Sequence, residues 1–152
     1  MEVKDIMKPA VTISEEVSFR DALQKMVTEK TNTLLVVNKE GELTGEICVS
    51  DLLDAIVPDY LDGDSIAANF ATEEMFESAV SDAEEKQVSF FMSTDMSPVT
   101  VNDGLMAVAA TAITNRSMRI PVVDEDNRPL GVVSRRGLKH ILAKFLNISD
   151  SD

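Results

Sequence analysis

Phe19, Ala22, Leu23, Met26 and Val27 fall at i, i+3, i+4, i+7 and i+8, one apolar stripe at the 3.6-residue period of an α-helix. Ser18, with Asp21 three residues on, is the N-cap pair that would start it. A short strand, Val11–Ile13, leads into this helix, and a buried-type strand, Leu34–Val37, follows it. The polar turn Lys39-Glu40-Gly41 supplies a residue that tolerates positive φ, and a third strand, roughly Leu43–Val49, closes a hairpin. A second helix begins near Ser50 and stops before Pro58, which has no N–H for the helical ladder. The predicted order is β-α-β-β-α.

That order occurs twice. VTISEEVSFRDALQKMVTEKTNTLLVVNKEGELTGEICVSDLL from Val11 returns as VTVNDGLMAVAATAITNRSMRIPVVDEDNRPLGVVSRRGLKHIL from Val99. From Phe19 onward the offset is a constant 86, so that Phe19 maps on Leu105, Ala22 on Val108, Gly45 on Gly131 and Leu52 on Leu138. Matching Val11 to Val99 leaves the second copy two residues short before its first helix and three residues longer after its opening methionine; Met7 and Met92 open the copies. The second copy has strands Val99–Val101, Ile120–Val123 and Leu130–Ser134, a turn at Glu125-Asp126-Asn127, and a last helix from Arg136.

A unit of about 50 residues buries too little apolar surface to stand comfortably alone. Two copies packed sheet against sheet, sharing one core about a pseudo-twofold axis, meet that need. The expected fold is α/β (α+β): repeat 1 over 1–58, an acidic amphipathic linker helix over 59–87, and repeat 2 over 88–152. The linker stripe is Ala68, Ala71, Met75 and Ala79, with Phe76, Val80 and Ala83 alongside, so a helix over 60–86 is predicted to cover the pair or to meet a partner.

Net charge of −13 changes the picture of partners. Nine acidic residues and no Lys or Arg lie between Asp59 and Glu85, either a solvated face or a docking surface for a basic partner. Such a chain repels phosphate backbones and anionic membranes, so no nucleic-acid or membrane partner is expected. The longest nearly apolar stretch, Leu105–Ile113, is far below the roughly 20 residues of a spanning helix. No leader pattern follows Met1, and the single cysteine fits a reducing compartment, so a cytoplasmic location is expected.

The tracts LLVVNKEGELTGEICVSDLL and RIPVVDEDNRPLGVVSRRGLKHIL, with the opening VKDIMKPAVTI, resemble the CBS (cystathionine β-synthase) domain signature. The resemblance spans nearly all of the chain outside 58–87. It implies a disk-like regulatory pair, commonly a homodimer, with clefts between the copies for AMP, ADP, ATP or S-adenosylmethionine and no catalytic cofactor. Leu23, Val27, Ile56, Leu138 and Leu142 are candidates for the dimer faces.

In such domains an Asp at the end of the signature holds the ribose and a Ser or Thr three residues earlier sits near the sugar-phosphate. A basic residue before the other copy's Pro-Val-Val strand reaches phosphate, and the first strand packs on the base. Carried onto this chain, Asp51 takes the ribose position with Ser50 beside it, while Cys48 stands where Ser or Thr is usual. Glu46 replaces an apolar residue, and Thr12 and Val99 mark the two first strands. Met118 and Arg119 precede the Pro-Val-Val of copy two, where the counterpart of Arg119 is the uncharged Thr33. Ser134 keeps the hydroxyl position of copy two, but Gly137 replaces its Asp. Only Asp51 and Ser50 with Met118 and Arg119 form a complete set.

The chemistry of these groups agrees: a carboxylate accepts two hydrogen bonds from a cis-diol, and a guanidinium offers phosphate a planar fork of donors. Plainer readings exist for each: Asp51 as a first-turn acidic residue, Arg119 as a surface ion-pair partner, Ser134 as a helix cap, Cys48 as a small core side chain. No spacing marks a catalytic triad, metal site or phosphate-cradling Gly loop, and His140 has no evident catalytic partner, so no enzyme activity is expected. The expected function is a regulatory sensor that binds an adenosine derivative and relays this to a partner protein. The alternative is a ligand-free scaffold for dimerisation or protein interaction.

Overall fold

A computed structural model describes residues 2–57, 69–114 and 119–150. Repeat 1 contains β1 (Thr12–Ser14), α1 (Phe19–Glu29), β2 (Thr33–Val37), β3 (Leu43–Cys48) and α2 (Val49–Ile56). Helix α3 (Glu73–Ala83) follows, and repeat 2 contains β4 (Val99–Thr100), α4 (Leu105–Thr114), β5 (Arg119–Val123), β6 (Pro129–Ser134) and α5 (Arg135–Phe145). Single 3-10 turns at Val3–Asp5 and Val88–Phe90 precede the repeats. Each repeat makes one three-stranded sheet, in the orders β1-β2-β3 and β4-β5-β6. In both, the first pair is parallel and the second antiparallel.

Local chemistry sets the element ends. The Ser18 hydroxyl accepts a hydrogen bond from the Asp21 amide at 3.1 Å, starting α1. The helix ends at Lys30 in the left-handed region (φ 53°). The hairpin turns use the residues that tolerate positive φ, Gly41 (82°) and Asn127 (62°). These two tips meet across the pseudo-twofold, where the Leu43 amide donates to the Asn127 carbonyl at 2.8 Å and the Asn127 side-chain amide donates to the Leu43 carbonyl at 3.1 Å.

The strand register corrects the sequence alignment upstream of the helices. Ile13 lies opposite Val36, and Val99 lies opposite Val122. Val36 and Val122 are 86 apart, and so are Ile13 and Val99. The offset therefore runs unbroken through β1 and β4, and the matching Val-Thr pairs at 11 and 99 are not structural equivalents. A shift of two keeps every side chain on its face, so the apolar pattern alone could not detect it.

A single shared core is also not what forms. Ile13, Leu34, Val36 and Ile47 pack with α1 and α2 residues Phe19, Ala22, Met26, Leu52 and Ile56 in one cluster. Val99, Ile120, Val122 and Val133 pack with Val108 and Ile141 in a second. Between the sheets lies a smaller seam of Leu35, Leu43, Val123 and Val132. Fully burying one side chain of this size contributes about 1.5–3 kcal/mol, so the two helix-side clusters supply most of the stabilisation.

The segments ahead of each repeat cross to the other one. Val3 and Ile6 belong to the second repeat's cluster, whereas Ala83 and Val88 belong to the first's. Lys8 pairs with Val132 on the outer edge of β6, with N–H···O distances of 2.9 and 2.8 Å in the two directions. Ser93 pairs likewise with Glu46 on β3, at 2.9 Å both ways. Glycine is required beneath each crossing: a Cβ on Gly131 would stand 2.5 Å from the Lys8 carbonyl oxygen, and one on Gly45 would stand 2.5 Å from Met92 Sδ.

The helix along the linker's apolar stripe is interrupted ahead of Thr72. Helix α3 begins at Glu73, where Thr72 Oγ1 accepts from the Met75 amide at 3.2 Å, and ends at Ala83. Ala71 lies ahead of the cap and outside the helix, and residues 58–68 of the predicted span lie outside the described residues. Ala79, Val80 and Ala83 pack on the first repeat's cluster, so α3 covers that repeat rather than the pair. Among the candidate dimer-face residues, Val27 (66% exposed) and Leu142 (68%) are surface residues, and Leu23 is 41% exposed. Ile56 is buried in the first cluster and Leu138 packs against the second, because their helices turn those positions inward.

Gly131→Ala should lower the unfolding free energy by about 1–3 kcal/mol, because the Lys8 backbone must move to admit the methyl group. Gly104→Ala, whose Cβ would meet nothing within 4 Å, should stay within about 0.5 kcal/mol of wild type. Urea denaturation of the two variants measures this difference.

Candidate functional site

The inward faces of the two sheets carry the candidate site. Leu35 and Val132 lie in the inter-sheet seam, and side chains alternate along a strand. Two residues along from Leu35, on the same face, is Thr33, which pairs with Cys48 across β2–β3. Two residues along from Val132 is Ser134, which pairs with Arg119 across β5–β6. The pairs Thr33–Cys48 and Arg119–Ser134 are thus pseudo-twofold mates at the end of the seam.

Arg119 reaches across this axis. Its Nη1 donates to Thr31 Oγ1 of the first repeat at 3.4 Å. Thr31 is a small hub: its hydroxyl donates to the Thr33 carbonyl at 3.1 Å and accepts from the Thr33 amide at 3.3 Å. Thr33 Oγ1 in turn lies 3.9 Å from Cys48 Sγ. Thr31 was not among the residues singled out from sequence. Its signal was the Thr-Asn-Thr run at the start of β2, which brings two hydroxyls to the end of the strand.

Asp51 sits in the first turn of α2, where its Oδ2 accepts from the Cys48 amide at 2.7 Å. This hydrogen bond fixes the carboxylate at the β3–α2 junction. Burial pushes the Asp51 carboxyl above the ordinary aspartate range and the Asp54 charge adds to the rise, against the lowering by the Cys48 amide. Burial likewise pushes the Cys48 thiol up. The Glu46 and Asp51 charges reinforce this, while the Thr33 hydrogen bond and the Arg119 charge oppose it. Thr33, Glu46, Asp51 and Arg119 thus all act on the Cys48 thiol. A thiol with a raised pKa is a poor nucleophile.

Other predicted site residues fall as follows. Glu46 is 4% exposed, two residues from Cys48 on the same strand face, with its backbone tied to Ser93. Ser50 is exposed beside Asp51, and Thr12 is exposed on β1. Val99 is 2% exposed within the second repeat's helix-side cluster, so packing there accounts for it. Met118 lies outside the described residues.

The equivalent position in repeat 2 is built differently. Ser134 Oγ accepts from the Gly137 amide at 3.1 Å and caps α5. A Cβ on Gly137 would stand 3.6 Å from the Ile6 carbonyl oxygen, since the crossing N-terminal segment runs beside it. A cavity of about 680 Å³ flanks α5, lined by Asp5, Ile6, His140, Lys144 and Phe145, and contains none of the predicted site residues. His140 lies 3.4 Å from Asp150 there. Among the described residues no cluster of three His, Cys, Asp or Glu side chains is arranged to hold a metal, and no helix is long and apolar enough to cross a membrane.

The family model of the CBS domain matches residues 3–58 and 86–144, one stretch for each repeat. The chain belongs to the CBS-domain family. An uncharacterized protein of Methanocaldococcus jannaschii, MJ1426, is 28% identical over 91% of this chain and 89% of its own length. The fold is that of solved CBS pairs. The CBS domain pair of protein MJ0100, solved with 5'-methylthioadenosine and S-adenosyl-L-methionine, superposes at a TM-score of 0.69 with 21% identity, covering 95% of this chain and 98% of that one. CBSX2 of Arabidopsis thaliana, solved with AMP, superposes at 0.68 with 23% identity over 95% and 98%.

Ser134→Ala should cost about 0.5–2 kcal/mol of stability through the lost α5 cap. The Cys48 thiol should react with a disulfide reagent more slowly at neutral pH than a solvent-exposed cysteine, accelerating only on alkaline titration. Chemical denaturation and absorbance-monitored thiol labelling check the two expectations.

Proposed function

We propose that this CBS pair is a non-catalytic regulatory module that binds one adenosine derivative per chain, in the cleft at Asp51 and Arg119, and relays occupancy to a partner protein. The observation that carries this reading is the reach of Arg119 from repeat 2 to Thr31 of repeat 1, beside the Cys48–Asp51 cap. Asp51 commits Oδ2 to the backbone, and Oδ1 is the acceptor for a ribose hydroxyl. Ser50 is exposed next to it, and the guanidinium supplies donors for a phosphate. AMP, ADP, ATP and S-adenosylmethionine are the ligands in view. The complexes of the similar MJ0100 and CBSX2 pairs with adenosine derivatives support that choice. The repeat 2 position has Gly137 in place of a carboxylate and spends its serine on a cap, which supports one site rather than two.

Isothermal calorimetry tests the reading. AMP, 5'-methylthioadenosine or S-adenosylmethionine should give one site per chain, and guanosine counterparts should bind less tightly. A hydrogen bond to a charged group contributes roughly 1.5–3 kcal/mol, so Asp51→Ala and Arg119→Ala should each weaken binding about 10- to 100-fold. Ser134→Ala should leave affinity unchanged. Binding that needs the Asp51 carboxylate ionised should fade on acidification at a higher pH than an ordinary aspartate would impose, because its pKa is raised. Two equal sites, or an Asp51→Ala variant as tight as wild type, would overturn the assignment. No heat with any adenosine compound would leave a ligand-free scaffold as the better account.

We also propose a homodimer, because Val27 on α1, Ile113 on α4 and Leu142 and Phe145 on α5 leave apolar surface exposed. Light scattering should give twice the 16.6 kDa chain mass at micromolar concentration. Leu142→Glu should shift the mass toward the monomer.

A further inference from the structure

Helices α1 and α3 leave an open groove of about 430 Å³ between them, on the first repeat and away from the Asp51 cleft. Its floor is Phe19 and Leu23 from α1 with Phe76 and Val80 from α3. Phe76 is 56% exposed and Leu23 41%, and Met75 (48%) extends the apolar surface on α3. Phe76, Leu23 and Val80 over the buried Phe19 form the kind of contiguous apolar patch that marks a contact surface.

The α3 side of the rim is acidic. Glu77 and Glu84 line the groove. Glu73 lies one helical turn before Glu77, and residues 71–85 carry six acidic side chains and no basic one. The lining cation, Arg20, is bound to Glu84 at 2.8 Å. The helical rise makes each 11-residue wall about 16 Å long, room for about three turns of a partner helix. An apolar floor beside the acidic α3 wall is complementary to a helix that has leucine-type anchors at i, i+3/i+4 and i+7 and lysines or arginines along one flank.

We propose that the α1–α3 groove is a docking site for a basic amphipathic helix of a partner protein. This goes beyond the nucleotide reading and does not depend on it. Arg20, the cation of the lining, is held by Glu84, so charge and shape together select a cationic, helical, apolar-faced segment.

Fluorescence anisotropy with a labelled 14-residue amphipathic leucine–lysine peptide tests the proposal on the full chain. Three controls accompany it: a scrambled peptide of equal composition, a leucine–glutamate peptide, and a repeat at 0.5 M salt. The amphipathic lysine peptide should bind wild type, more weakly at high salt, and should outcompete both control peptides. Phe76→Ser, Leu23→Ser and Glu77→Lys should each weaken it about tenfold or more, as central interface positions do. Glu125→Lys, the same charge change on the exposed β5–β6 turn, should leave affinity within about twofold. Circular dichroism melts establish that each variant is folded. Equal losses from Glu77→Lys and Glu125→Lys would reduce the binding to general attraction by net charge and overturn the proposal. Tight binding of the scrambled peptide, or no binding of the amphipathic one, would overturn it too. A fall from dimer to monomer mass in Phe76→Ser would overturn it in another way, by assigning the groove to a second copy of this chain.

Discussion

Everything in this fold depends on closing two sheet edges. Each repeat makes a sheet of three strands whose outer member, β3 or β6, presents unpaired amides and carbonyls, and such an edge invites pairing with another chain. The chain closes both edges with its own crossing segments, Ser93 on β3 and Lys8 on β6. The exchange costs side-chain volume, which is why Gly45 and Gly131 stand where they do, beneath Met92 and Met7. It also brings Val3, Ile6, Ala83 and Val88 into the cluster of the opposite repeat. Neither repeat therefore has a complete core without chain that precedes the other. The pair is the folding unit, in keeping with the small area that about 50 residues can bury.

The candidate cleft inherits its geometry from that closure. Glu46 is fixed on both sides, by Leu35 of β2 and Ser93 of the crossing segment, and Cys48 follows two residues later at the start of α2. The Asp51 carboxylate is then held on the Cys48 amide. On the other repeat the same closure has a different outcome, since the crossing segment runs past Gly137 and the serine is used as a cap. The asymmetry between the two positions is thus written in side chains on a symmetric backbone: the strand orders, the register at Val36 and Val122, and the bulges after those residues are the same in both.

Much of this was legible in the residues. The 86-residue offset, the α1 stripe, the Ser18 cap, and Gly41 and Asn127 as positive-φ turn residues all depend on nearest neighbours in the chain, and each reads directly. The same offset shows that Gly137 stands at the position of Asp51 and Thr33 at that of Arg119. The structure differed where the deciding contacts are long-range. A two-residue slip of β1 preserves every face, so only the pairing of Ile13 with Val36 resolves it. Val99 was carried onto the site as a first-strand residue, but its burial comes from Val108, Ile120 and Val122. Apolar periodicity runs past Ala71 without a break, yet Thr72 caps a helix that begins at Glu73. Thr31 escaped notice because its role depends on an arginine 88 positions away.

Helix α1 touches both proposed sites, and this limits how they can communicate. Its first turn is tied to the end of the linker, through the Phe19 amide to the Lys86 carbonyl at 2.7 Å and through Arg20 to Glu84. Its last turn runs through Lys30, in the left-handed conformation, into Thr31, which receives Arg119. A ligand that draws the guanidinium onto phosphate competes with Thr31 for the same donors and so acts on the C-terminal end of α1. A helix seated against Leu23 and Phe19 acts on the other flank of the same element. A rigid helix fixed at one end cannot tilt at the other without opening or narrowing its groove. Coupling between the cleft and the groove is therefore a question of the position of α1 relative to α3. Linkage requires it to be reciprocal: whatever factor the cleft ligand applies to docking in the groove, the docked helix applies to the affinity of the cleft. A ligand that leaves Arg119 on Thr31 has no differential contact with α1, and it would occupy the cleft without being read.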